Sequence, residues 1–159
     1  MSLNLLIRPA DASDLANITN LLPELADFDV PIKRNQEDLW RSDLELLKRI
    51  LNQDSANSFC DVACDSDAPD RMVGVVIVTM RDELLSGSPS AHLEAIVIDK
   101  ECRGYGLGRK LLQHAETKAR ELGAESISLH VFSNNDRARS LYAGNGYDEE
   151  LIRAIRWLC

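Results

Sequence analysis

Basic residues are in short supply. Eighteen Lys and Arg face 26 Asp and Glu in 159 residues, a formal charge of −8 at pH 7, and no basic patch stands out along the chain. Nucleic-acid binding by phosphate neutralisation needs such patches, so that class of partner is excluded. Cysteine is scarce and scattered, at Cys60, Cys64, Cys102 and Cys159. A chain of this size and apolar content needs no disulfide framework. Cys60-x-x-x-Cys64 has no second Cys/His pair to complete a tetrahedral site, so no metal is expected and the cysteines read as reduced thiols of a cytoplasmic protein. Long apolar runs are missing too. The longest, Met72–Met80, falls well below the ~18 residues of a membrane span. The apolar part of Leu3–Ile7 is too short for a signal peptide, with Arg8-Pro9 directly behind it. Repeats, low-complexity tracts and linkers are also lacking, and residues 1–159 read as one domain with a single core.

Hydrophobic periodicity then orders the elements. Leu3–Arg8 reads as a strand ended by Pro9. Asp11 or Ser13 caps a helix carrying Leu15, Ile18, Leu22 and Leu25, which Pro23 should kink or end. Residues 27–35 form a loop in which Asp27 and Asp29 are followed by Lys33 and Arg34. A second helix starts near Gln36, its stripe running through Leu39, Trp40, Asp43, Leu44, Leu47, Ile50 and Leu51. Phe59–Cys64 and Arg71–Arg81 pair as a hairpin across the turn 65–70; Val73–Val78 is apolar on both faces, as a helix-covered strand is. After the loop 86–90 come a strand at 92–98, a helix at 107–122, a strand at Ser126–Phe132, a short helix at Asn134–Ala143 and one or two closing strands in Tyr147–Leu158. This order predicts one α/β domain around a mixed sheet.

The stretch His92–Leu122 organises the rest. A buried strand leads into Arg103-Gly104-Tyr105-Gly106-Leu107-Gly108, and Leu107, Leu111, Ala115, Ala119 and Leu122 follow at helical spacing until Gly123 ends the helix. Alternating glycines let backbone approach a ligand, and the first N–H groups of the helix point at it. Such a turn binds anions, phosphate above all. A Walker-A loop needs GxxxxGK[ST], which this loop does not supply. A dinucleotide fold uses GxGxxG early in a βαβ unit, with an acidic residue about twenty positions on. Here the spacing is GxGxG and the loop lies two thirds along the chain. These residues alone give a phosphate-bearing ligand and no more.

Two motifs narrow it. Arg103–Gly108 resembles the [QR]-x-x-G-x-[GA] signature of the GNAT superfamily of acyl-CoA-dependent N-acetyltransferases. Asn135-x-x-Ala138-x-x-Leu141-Tyr142-x-x-x-Gly146-Tyr147 resembles the second signature of that family, at the right place downstream. Leu6-Ile7-Arg8-Pro9-Ala10-x-x-x-Asp14 is similar to a common family N-terminus. The resemblance covers nearly the whole chain. It implies a GNAT-like α/β fold whose mixed central sheet is splayed between the fourth and fifth strands, flanked by helices, with acetyl-CoA between those strands.

By resemblance, the backbone of Ile96, Val97 and Ile98 pairs with the pantetheine arm. The N–H groups of Arg103, Gly104, Tyr105, Gly106, Leu107, Gly108 and Arg109 hold the pyrophosphate, with Lys110 adding charge. Asn135 contacts the cofactor or caps its helix. An amine of lysine-like pKa, ~10.4, is uncharged in only about one molecule in a thousand at neutral pH, a penalty of roughly 4 kcal/mol, so a proton acceptor is needed. Glu94 resembles the glutamate that some members, polyamine acetyltransferases among them, keep near the amine, as base or as ammonium-binding carboxylate. His92 is a weaker candidate on the same strand, and His114 and His130 have no motif support. Tyr142 occupies the position of the general acid that protonates the CoA thiolate, and a backbone N–H near Val97 faces the oxyanion. The expected reaction is acetyl transfer to a primary amine, on a small molecule or a peptide, through a ternary complex. A non-catalytic acyl-CoA-binding module and a protein N-terminal or lysine acetyltransferase are the alternatives. Family members are often dimers, so a homodimer is compatible with the resemblance.

Overall fold

The computed structural model describes residues 3–159. Its five strands, β1 (Leu5–Pro9), β2 (Ser58–Asp65), β3 (Ala68–Asp82), β4 (Pro89–Ile98) and β5 (Ser126–Leu129), form one sheet in chain order. The first three pairings are antiparallel; β4 and β5 run parallel, as a helical crossover between them requires. That crossover is α3 (Leu107–Glu121), which covers one face of the sheet, while α1 (Leu15–Leu21) and α2 (Arg41–Leu51) cover the other. The mixed α/β sheet expected from the sequence is therefore present. Leu47 on one face and Leu111 on the other are fully buried, and truncating either to Ala should cost about 2–5 kcal/mol. No helix among the described residues is long and apolar enough to cross a membrane.

Local chemistry explains most boundaries. Asp11 caps the 3₁₀ turn Ala12–Asp14 and exchanges a capping box with Asp14; Asp14 is itself gripped by both Arg8 guanidinium nitrogens, at 2.8 and 2.9 Å. At Pro23 α1 gives way to the 3₁₀ turn Leu22–Ala26, because proline has no N–H to continue an α-helix. The expected helix from Gln36 is divided. Gln36–Leu39 is a 3₁₀ turn, Trp40 leaves helical geometry at φ −138°, and α2 begins at Arg41. The β2–β3 turn narrows to Ser66 and Asp67, where the Asp65 carboxylate accepts from the Asp67 N–H.

Two expectations are corrected. The fifth strand stops at Leu129, so His130, Val131 and Phe132 leave the sheet. The closing strands expected in Tyr147–Leu158 are not formed: residues 148–159 carry no regular structure and are exposed. Asp148, Glu149 and Glu150 open that segment, and Glu149 is held by Arg139 at 2.6 and 2.9 Å. Arg139 belongs to α4 (Asp136–Ala143), so the chain is tied to that helix and not to the edge of β5.

Candidate active site

The site begins where β4 loses register. Ala95 pairs with Ile77 and Leu93 with Val78, so Glu94 is an extra residue with no partner on β3. A β-bulge of this kind re-aims side chains, and the alternation along β4 records it. Ala91 and Leu93 face α3 before the bulge, Ile96 and Ile98 face it afterwards, and Ala95 and Val97 turn to the α1–α2 side. Pairing with β5 ends at the same point, Leu93 opposite Leu129. From Glu94 to Ile98 one edge of β4 thus has no strand partner, and its N–H and C=O groups face a gap. Unpaired backbone at the mouth of a cleft is available to an extended ligand.

A cleft of about 370 Å³ occupies the gap, within the range of small-molecule sites. Glu94, Ile96, Val97, Ile98, Arg103, Gly104, Gly106, Leu107, Gly108, Arg109, Asn135 and Tyr142 line it, so residues predicted from two separate motifs meet in one place. Tyr105 is not on the lining and is 45% exposed. At the far end sits the glycine turn. Gly104 and Gly106 have φ of +88° and +76°, and a Cβ on either would meet no protein atom within 4 Å. The positive φ favours glycine, and the space in front of both residues is open. Gly106 precedes the first turn of α3, whose free N–H groups project there. Extended backbone, open glycine turn and helix N-terminus together suit a long ligand ending in phosphate.

The Arg103 side chain turns away from this turn. Its Nε donates to the Ile98 carbonyl at 3.1 Å and its Nη1 to Asp27 at 2.7 Å, with Glu24 at 3.8 Å. Its charge is therefore largely matched by acidic residues after α1, and the extra cation expected beside a phosphate falls to Arg109 on the lining. Asn135 caps α4, accepting from the Ala138 N–H at 3.4 Å, and also lines the cleft. Tyr142 projects from α4 with its ring 5.8 Å from that of Tyr147, and burial raises its phenol to about 12.

Segment 27–35 roofs the other end. Asn134 donates to the Asp29 carbonyl at 2.6 Å, Arg137 reaches Asp27 at 3.6 Å, and Phe28 lies 5.5 Å from Phe132. Beneath it a second cavity of about 310 Å³ shares Leu39, Asp43, Leu93, Glu94, His130 and Phe132 with the first and adds Arg34, Asp38, Ser42 and His92. Burial holds His92 down to about 4, with Arg81 and His130 adding to the effect. It is therefore neutral, bound through Nδ1 to Ser128 at 2.9 Å and edge-on to His130. His114 lies elsewhere, in an ion cluster with Asp61 and Lys118.

Asp43 and His130 did not stand out in the sequence. For Asp43 the signal was an acid on the apolar stripe of a helix. For His130 it was the residue just past the last strand pair, visible only once β5 is known to end at Leu129. Among the described residues no cluster of three or more His, Cys, Asp or Glu is placed to hold a metal.

Comparison with known proteins identifies the family and the fold. The sequence matches the model of the Acetyltransferase (GNAT) family over residues 19–147. A thialysine N-epsilon-acetyltransferase of Bos taurus is 28% identical over 158 residues, 97% of this chain and 89% of that protein. The uncharacterized N-acetyltransferase YdgE of Bacillus subtilis (strain 168) is 47% identical over 57 residues, only 36% of either chain. The fold is shared with aminoglycoside N-acetyltransferase AAC(6')-Iy solved in complex with CoA, at a TM-score of 0.73 and 17% identity, covering 100% of this chain and 98% of that one.

Proposed function

The chain belongs to the GNAT family of acetyl-CoA-dependent N-acetyltransferases, and from that premise we propose that its cleft binds acetyl-CoA and a primary amine together and passes the acetyl group directly between them. The observation that carries this reading is the coincidence at Glu94 of the β4 bulge with the end of β4–β5 pairing. The unpaired edge of β4 then runs from a glycine turn suited to phosphate up to a carboxylate beside a second, acid-lined cavity. The donor arm and the acceptor meet between them.

In this reading the backbone of Ile96, Val97 and Ile98 pairs with the pantetheine. The turn from Arg103 through Arg109, Tyr105 included, receives the pyrophosphate on its N–H groups. The amine nitrogen attacks the thioester carbonyl carbon, the C–N bond forms, the C–S bond breaks, and CoA leaves as thiolate. Charge building on the carbonyl oxygen meets the N–H near Val97. The proton lost by the amine passes to Glu94, directly or through one water.

Tyr142 serves the leaving sulfur. At about 12 its phenol keeps its proton at any working pH. Complete transfer to a thiolate whose conjugate thiol has a pKa of ~8.5 runs uphill by about 5 kcal/mol. Its contribution is thus a hydrogen bond to the developing charge, and the departing thiolate takes its final proton from water. The names of the bovine relative and the aminoglycoside enzyme support a small-molecule amine over a protein acceptor.

Initial rates with both substrates varied test this mechanism. Intersecting double-reciprocal lines are expected of a ternary complex. Parallel lines and a stable acetylated protein would instead mark a covalent relay.

A further inference from the structure

Two ionisable side chains in the second cavity lack protein partners. Asp43 is 8% exposed and lines both cavities, yet it makes no hydrogen bond to any described residue. Its neighbours along α2 are Leu44, Leu46 and Leu47, packed into the core on that side of the sheet. The Asp43 carboxyl reaches the cavity, and so does that of Glu94.

Arg34 stands at the other side of the same cavity. Its guanidinium carbon is 5.8 Å from the Phe132 ring centroid and 5.3 Å from that of Trp157. Stacking against aromatic faces fixes the plane of a guanidinium and leaves its edge donors free. None of those donors meets a carboxylate or carbonyl among the described residues, although Asp38 lines the same space. A planar fork held this way matches a carboxylate.

The charges add up in one direction. Asp43 and Glu94, neither paired with a cation among the described residues, face the single cation Arg34. Asp38 is paired with Arg41 at 3.9 Å and accepts from the Asn35 N–H, and His92 is neutral. The complement is a molecule with more than one ammonium group and one carboxylate. Resting on the acetyl-transfer reading above, we propose that the acceptor is a small diamino acid. Asp43 and Glu94 receive its reacting ammonium, and Arg34 receives its carboxylate.

Matched acceptors that differ only in the carboxylate test this: lysine against cadaverine, and ornithine against putrescine, each with acetyl-CoA. The wild-type protein should prefer at least one amino acid over its diamine by tenfold or more in kcat/KM. Arg34→Gln should lower kcat/KM for that amino acid at least tenfold more than for its diamine. Asp43→Asn should raise KM for both members of the pair alike. Acetyl-CoA affinity and the circular dichroism spectrum serve as folding controls for each variant. Diamines used as well as amino acids would overturn the proposal, as would equal losses on both members in Arg34→Gln, which would mark Arg34 as packing for Phe132 and Trp157. Turnover of peptides or aminoglycosides alone would overturn it while leaving the acetyltransferase reading intact. Acetyl-CoA binding without turnover of any amine would overturn both.

Discussion

Asp43 of α2 and Glu94 in the β4 bulge share one cavity, and burial together with the Glu94 charge raises Asp43 to about 7. An acid whose folded pKa lies above its ordinary 3.8 stabilises the fold fully below that value, and the contribution is lost as pH rises towards 7. His92 has the opposite sense. Held near 4, it contributes stability above its ordinary 6.5 that is lost as pH falls through 4. The ceilings are about 4 kcal/mol for Asp43 and about 3 kcal/mol for His92, and between pH 4 and 6.5 the two oppose one another. The stability of Asp43→Asn relative to wild type should therefore climb from pH 4 to 7 and level off above it, as read by denaturant unfolding across that range. A difference independent of pH would mean that Asp43 is not ionised at a cost in the fold.

Asp27 accepts from Arg103 at 2.7 Å and lies 3.6 Å from Arg137, so it draws positive charge away from the glycine turn. Asp27→Asn should free that charge and tighten acetyl-CoA binding a few-fold at low salt, with the gain shrinking as ionic strength rises. Calorimetric titration at two salt concentrations reads this. Weaker binding would show instead that the pair shapes the turn.

How far the sequence reveals this site depends on how local each cause is. Pro23, Asp11, the positive-φ glycines and the Asn135 cap act over a few residues, and each is legible from its own neighbourhood. The splay is legible only through the family resemblance, since Val131 and Phe132 continue an acceptable strand pattern and the tertiary path alone ends β5 at Leu129. The bulge is likewise silent, because residues 92–98 read as an unbroken strand whose register is set by β3. Asp43 sat on an apolar stripe and Arg34 interrupted an acidic run, and their meaning comes from the cavity they share. The closing strands failed for a related reason: apolar residues such as Leu151 and Ile152 fit a strand, but Glu149 is tied to Arg139 of α4.

Tyr142→Phe removes one oxygen and keeps the ring that packs near Tyr147. Turnover should fall about 10²-fold or more, the low end of general-acid contributions, while the dissociation constant for acetyl-CoA stays within about twofold. Unchanged turnover would remove the phenol from the mechanism.

Gly106→Val and Gly87→Val make an informative pair. Both glycines have positive φ and open space around them, so each substitution carries backbone strain of about 1–2 kcal/mol, visible as a similar drop in Tm. Only Gly106 lies on the cleft. Gly106→Val should abolish acetyl-CoA binding and Gly87→Val should leave it intact. Retained binding in Gly106→Val would displace the phosphate from this turn.

The central claim is that acetyl-CoA and an amine meet at Glu94 and exchange the acetyl group. The most direct measurement is CoA thiol release from acetyl-CoA, followed with a thiol reagent across amino acids, polyamines, aminoglycosides and peptides, with the acetylated product identified by mass spectrometry. The account predicts release that depends on one class of amine and yields its N-acetyl derivative in equal amount. Tight acetyl-CoA binding with no amine-dependent release from any member of the panel would contradict it and mark the chain as a cofactor-binding module without catalysis.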